Sequence, residues 1–219
     1  MGVGLVVGRG DQVVVDEVGI VLRTELSRPA PARHDRRVAG RGGLEGAPLV
    51  LAPDKDDPTL GADSQRNNDF TYAKMDPHGY GCPLGAHIRR MNPRDTAANM
   101  NRHKMIRRGG TYGPPLPEGV PDDGVERGIA AFVGCASLVR QFEFAMNVWA
   151  NDPNFHELGN ERDPIFGTQD GTFDMTIPKR PIRKKIKGLP AFTTIRGGAY
   201  FFLPGIKALR YLASLSDRL

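Results

Sequence analysis

Pro83 and Pro93 punctuate the run Gly81-Cys82-Pro83-Leu84-Gly85-Ala86-His87-Ile88-Arg89-Arg90-Met91-Asn92-Pro93-Arg94, and they leave the residues between them little conformational choice. Proline suits the first turn of a helix, where its missing N–H costs nothing, and it ends a helix that would otherwise run into it. The pair therefore predicts a short helix carrying one histidine among clustered arginines. His87 and Arg90 stand three apart on one face of that helix. An imidazole that ligates a metal there would have a cation at hand for an anionic group of a cofactor. A satisfied structural histidine in an arginine-rich helix fits the same local pattern.

Composition sets wider limits. The chain of 219 residues, 39% of them hydrophobic, can bury a core as a single domain or as two small ones, while 27 Gly and 18 Pro imply much loop. A net charge of +5 suits an acidic partner, whether nucleic acid, a membrane surface or an anionic ligand. Cys82 and Cys135 are too few for a disulfide framework and read as buried free thiols. No apolar run approaches the roughly eighteen residues of a membrane span, and the start lacks the features of a secretory signal. The expectation is a cytoplasmic protein with no membrane or nucleic-acid partner.

Along the chain, Val13-Val14-Val15 and Gly19-Ile20-Val21-Leu22 suggest two short strands, and the proline- and arginine-rich stretch from Ser27 to Arg37 reads as a linker. Residues 47–80 read as a long surface connection with brief turns. Within it Asp54, Asp56 and Asp57 lack the glycine and terminal glutamate of a calcium loop, and His78, Cys82 and His87 lack a fourth zinc ligand at a recognisable spacing. Gly128 to Ala136 reads as a buried strand. Ser137 then caps a helix with Phe142, Ala145, Met146 and Trp149 on one stripe. Phe192–Ile195 and Ala199–Leu203 read as two strands joined by a turn at Arg196-Gly197-Gly198, with a closing helix over Ile206–Leu215. Interleaved strands and helices with hairpin-like joins predict an α+β fold with an antiparallel sheet covered by helices on one face.

The run around His87 resembles the haem-binding signature of the dye-decolorizing (DyP-type) peroxidases, Cys-Pro-x-x-Ala-His-Ile-Arg-x-x-Asn-Pro-Arg. The resemblance continues through Arg107-Arg108-Gly109-Gly110-Thr111-Tyr112-Gly113-Pro114, Glu126-Arg127-Gly128-Ile129, Gln141-Phe142-Glu143-Phe144, the segment from Trp149 to Phe155, and Arg196-Gly197-Gly198-Ala199-Tyr200-Phe201-Phe202-Leu203-Pro204. It covers roughly residues 38 to 219 and leaves 1–37 as an atypical N-terminal segment. It implies a ferredoxin-like α+β domain holding haem b, with His87 as the iron ligand and Arg90 and Glu126 among the cofactor-binding residues. Glu126 is the expected acceptor for the second ring N–H of His87. Arg107, or less favourably Arg108, is the expected catalytic cation that stabilises charge as the O–O bond of hydrogen peroxide breaks.

The family's distal aspartate belongs to a Gly-x-x-Asp-Gly motif in a domain preceding the haem histidine, and no such motif precedes His87 here. The string Gly167-Thr168-Gln169-Asp170-Gly171 follows His87 instead and reads as a turn. The resemblance thus implies a haem peroxidase using hydrogen peroxide and a small-molecule reductant, slowed by the lack of that aspartate, with room for a homo-oligomer. Two other readings stay open: a non-catalytic haem-binding or haem-carrying protein, and a basic interaction module without haem.

Overall fold

The computed structural model describes residues 18–26, 47–55, 57–117 and 120–216. The Val13–Val15 strand and the Ser27–Arg37 linker lie outside them. The chain divides into two compact units interleaved in sequence: residues 1–26, 103–144 and 194–219 form one, and residues 27–102 and 145–193 form the other.

The first unit is a four-stranded sheet built from β1 (Val18–Leu26), β2 (Ile106–Tyr112), β3 (Gly128–Cys135) and β6 (Thr193–Phe202), in the order β2-β3-β1-β6. Taken in chain order this is 2-3-1-4, the strand order of a ferredoxin-like βαββαβ fold. β3 pairs antiparallel with both neighbours, Val18 opposite Cys135 on one side and Arg107 opposite Val133 on the other. The β2–β3 loop turns at Gly113, whose φ is +87° and where a Cβ would stand 2.5 Å from the Glu126 carbonyl. Arg127 closes it, with its guanidinium on both Asp123 oxygens at 2.6 and 2.8 Å and its Nε donating to the Pro114 carbonyl at 2.6 Å.

Two sequence expectations change here. Gly128–Cys135 is only half buried: Val133 and Cys135 face the core against Met105, Leu138 and Phe142, while Ile129 is 39% exposed. Residues 193–202 form one continuous strand, because Gly197-Gly198 stays extended within the ladder instead of turning. The closing helix α4 (Ile206–Ser216) forms as expected. Both thiols are free and buried.

The predicted helix after Ser137 exists but is wound as π-helix over Val139–Glu143 and Ala145–Ala150, with the Glu143 N–H donating to the Leu138 carbonyl at 2.9 Å. Ser137 supplies its cap in both directions: its Oγ accepts from the Arg140 N–H at 3.4 Å, and its own N–H donates to the Gln141 side chain at 2.9 Å. The stripe splits as the chain passes between units. Phe142 packs in the first, whereas Ala145 and Trp149 are buried in the second.

The second unit is loop-rich. It holds the short helices α1 (Pro58–Ala62), α2 (Tyr72–Met75) and α3 (His87–Met91), and the hairpin of β4 (Met175–Ile177) and β5 (Lys184–Ile186). A core of Phe70, Tyr72, Cys82 and Ala86, with Met175 and Ile88 packed against it, sits beneath α3. The expected long connection over 47–80 is thus held onto something large. Asp95 ties it down by accepting from the Tyr72 and Ala73 N–H groups at 2.8 and 3.1 Å, which satisfies two open donors at the start of α2.

Candidate functional site

Helix α3 starts at His87, later than Pro83 alone implies. Pro83 forms the turn before it, its carbonyl accepting from the Ala86 N–H at 2.9 Å. The helix is only five residues long, so its position depends on its two arginines, both almost fully buried. Arg89 lies over the Tyr72 ring at 4.3 Å, pairs with Asp76 at 3.0 Å and donates to the Cys82 carbonyl at 2.9 Å. The Asp76 carboxylate also accepts from the Gly81 and Cys82 N–H groups at 3.1 and 2.8 Å, locking the turn that leads into α3.

Arg90 changes role. Its spacing from His87 predicts that it meets an anionic group of a cofactor, but the structure buries it at 0% exposure with its guanidinium among the carbonyls of Trp149, Asp152 and Glu161. Its ring contact is Phe155, at 4.9 Å. Burial pulls its pKa down, and the nearby Asp163, Glu161 and Asp152 oppose that shift. Arg90 therefore bolts α3 to the end of the π-helix and to the loop beyond it.

His87 is left with its ring partly exposed, at 24% of its side chain, and with Nδ1 held by Asp163 at 3.0 Å from Oδ1 and 2.9 Å from Oδ2. The Asp163 side chain is completely buried, and Oδ1 also accepts from the Ile165 and Phe166 N–H groups, both at 2.8 Å. Such a carboxylate is fixed in place and accepts a hydrogen bond from Nδ1–H, which keeps the ring proton there and leaves the Nε2 lone pair available. Among the described residues Nε2 has no hydrogen-bond partner. The Phe166 ring lies 5.2 Å from the imidazole and restrains it further.

Asp163, not Glu126, thus stands behind the histidine as the acceptor for its second ring nitrogen. Glu126 is exposed on the β2–β3 loop of the first unit, while His87 and Asp163 belong to the second. Arg107 and Arg108 lie on β2 with exposed side chains, and strand geometry turns them to opposite faces. The Asp163-Pro164-Ile165-Phe166-Gly167 turn gave little signal in the sequence beyond an aspartate ahead of proline, a common loop feature. Asp170 does sit in a turn: its Oδ1 accepts from the Thr172 N–H at 2.9 Å and from the Thr172 hydroxyl at 2.5 Å, which lowers its pKa.

No group of three or more His, Cys, Asp or Glu side chains among the described residues could hold a bare metal ion. One imidazole with a committed Nδ1 and an open Nε2 suits a metal that arrives with ligands of its own, as iron does in a porphyrin.

No protein-family model matches the chain. A dye-decolorizing peroxidase of Exidia glandulosa is 38% identical over 187 residues, covering 79% of this chain and 36% of that protein. A dye-decolorizing peroxidase of Mycetinis scorodonius is 32% identical over 201 residues, covering 82% and 38%. The crystal structure of a fungal DyP-type peroxidase from Auricularia auricula-judae superposes with a TM-score of 0.70 at 30% identity, over 88% of this chain and 52% of that one. The chain spans about two fifths of the length of these curated relatives and about half of the solved chain. On sequence and fold together, this chain belongs to the dye-decolorizing (DyP-type) peroxidase family.

Proposed function

We propose that this chain provides the histidine-ligated haem b site of a DyP-type peroxidase, which reduces hydrogen peroxide at the expense of dyes or other small reductants. The carrying observation is the His87–Asp163 pair, with Nδ1 2.9 Å from a fully buried carboxylate and Nε2 left open. Bound haem would supply the redox-active iron that the chain's own side chains lack. Asp163 keeps the proton on Nδ1, makes the imidazole more electron-rich and fixes its plane, while the Ile165 and Phe166 N–H groups hold the carboxylate against rotation. Arg107, in preference to Arg108, is the cation we assign to stabilising negative charge on the peroxide oxygens.

A haem-binding protein without sustained turnover is the second reading. Asp170, inside the Gly-x-x-Asp-Gly string after His87, is engaged with Thr172. A positioned acid–base group contributes on the order of 100-fold or more in rate.

Haemin titration of the wild-type chain and of His87→Ala, followed by addition of hydrogen peroxide and an oxidisable dye, separates the readings. A His87-dependent Soret shift with dye turnover supports the peroxidase. The same shift without turnover supports the haem-binding protein, and a Soret band indifferent to His87 overturns both.

A further inference from the structure

The β4–β5 hairpin has no role in the His87 site, yet it carries the densest charge in the sequence. Lys179, Arg180, Arg183, Lys184, Lys185 and Lys187 fall within nine residues, and no Asp or Glu occurs between Met175 and Pro190. These six cations exceed the +5 net charge of the whole chain. All six side chains are exposed.

The hairpin is also firmly mounted. Met175 at its base packs against the core beneath α3, and Lys185 pairs with Asp174 at 2.8 Å. The ladder pairs Met175 with Ile186 and Ile177 with Lys184. In the connecting loop, Arg180 is pinned to Tyr80, its Nε donating to the hydroxyl at 3.2 Å and its guanidinium lying 5.2 Å from the ring centre. Pro178 and Pro181 stiffen that loop further. At its tip Ile182 is 79% exposed, the most exposed large apolar side chain among the described residues, and it is flanked by Arg180 and Arg183.

We propose that this hairpin docks the protein on an anionic lipid surface, with Ile182 entering the interface and the surrounding lysines and arginines meeting the headgroups. A preorganised loop with one exposed apolar side chain set between cations along the chain matches the layered chemistry of such a surface, where acyl chains lie just below negative charge. A single-stranded nucleic acid fits less well, since residues 175–190 hold no aromatic side chain on which a base could stack. The sequence-based expectation of no membrane partner rested on the lack of a spanning segment. Indeed, no helix among the described residues is long and apolar enough to cross a bilayer. A peripheral contact needs no such helix.

The test is co-sedimentation of the full chain with phosphatidylcholine vesicles, with and without phosphatidylglycerol, at low and high salt. It compares wild type with the triple variant Lys179→Gln, Arg183→Gln, Lys184→Gln and with Ile182→Ser. All four positions are exposed, so none of these changes opens the core. Binding should require phosphatidylglycerol and weaken with salt. The triple variant should lose roughly fivefold per removed charge, more than 100-fold in all. Ile182→Ser should lose roughly tenfold by withdrawing the buried apolar tip. Absence of binding to anionic vesicles overturns the proposal, as does binding that ignores both variants. So does an oligothymidylate that displaces the vesicles and binds Ile182→Ser as well as wild type, which would make the hairpin a nucleic-acid contact.

Discussion

His87 takes its chemical character from a carboxylate 76 positions further along the chain. Because Asp163 Oδ1 already serves two backbone N–H groups, Asp163→Asn would keep its oxygen there and put its amide nitrogen near His87 Nδ1. The imidazole would then have to accept at Nδ1 and carry its proton on Nε2, the atom proposed to bind iron. Haem affinity should fall about 10- to 100-fold by Soret titration, while urea unfolding of the haem-free chain shifts by less than about 1 kcal/mol. Arg90 invites the opposite result. Its planar fork reaches three carbonyls on two stretches of chain, a span that one ammonium cannot reproduce. Arg90→Lys should therefore lower unfolding stability by about 2–4 kcal/mol in urea, with haem binding lost only in step with folding.

At the scale of elements, the turn that presents Asp163 is as necessary as the aspartate. Gly167 donates back to the Asp163 carbonyl at 2.9 Å, and a Cβ on Gly167 would stand 2.5 Å from that carbonyl oxygen and 2.9 Å from the Asp163 nitrogen. Both atoms are backbone and cannot yield as a side-chain tip would. Gly167→Ala should destabilise the chain by about 1–3 kcal/mol in thermal melts and weaken haem binding by moving Asp163 away from His87. Gly197→Ala is the control, because a Cβ there meets nothing within 4 Å, and its melting curve should match wild type or shift slightly upward. Helix α3 follows the same logic. Five residues cannot hold a helix by propensity, so Asp76, Arg89 and Arg90 hold it through contacts from other segments.

For the whole molecule, His156 makes one contribution to acid stability: it sits at φ 54° and its pKa is pushed down to about 4, first by burial and then by Arg89 and Arg90. The unfolded chain binds a proton on this ring below the ordinary value of 6.5, and the folded chain resists doing so until about 4. Stability from this group is therefore complete above 6.5 and is lost as pH falls toward 4. His156→Asn, which tolerates the left-handed backbone, should flatten that region of the profile, so its melting temperature should gain on wild type between about pH 7 and about pH 5. Much of the architecture was legible in the sequence because its signals are local. Pro83, Pro93, the stripe from Phe142 to Trp149, the buried thiols and the closing helix all act through neighbours a few residues away. Gly197-Gly198 misled for the same reason: two glycines suggest a turn wherever local preference decides, but strand pairing held them extended in β6. The sequence by itself thus determined a short proline-bracketed helix with one histidine, an α+β layout and the family resemblance. Only the tertiary structure decided that Asp163 stands behind His87, that Arg90 faces inward, and that β1 lies between β3 and β6. Those three facts join segments far apart in the chain, and a charge or a strand does not record in its own neighbourhood which distant partner folding will bring to it.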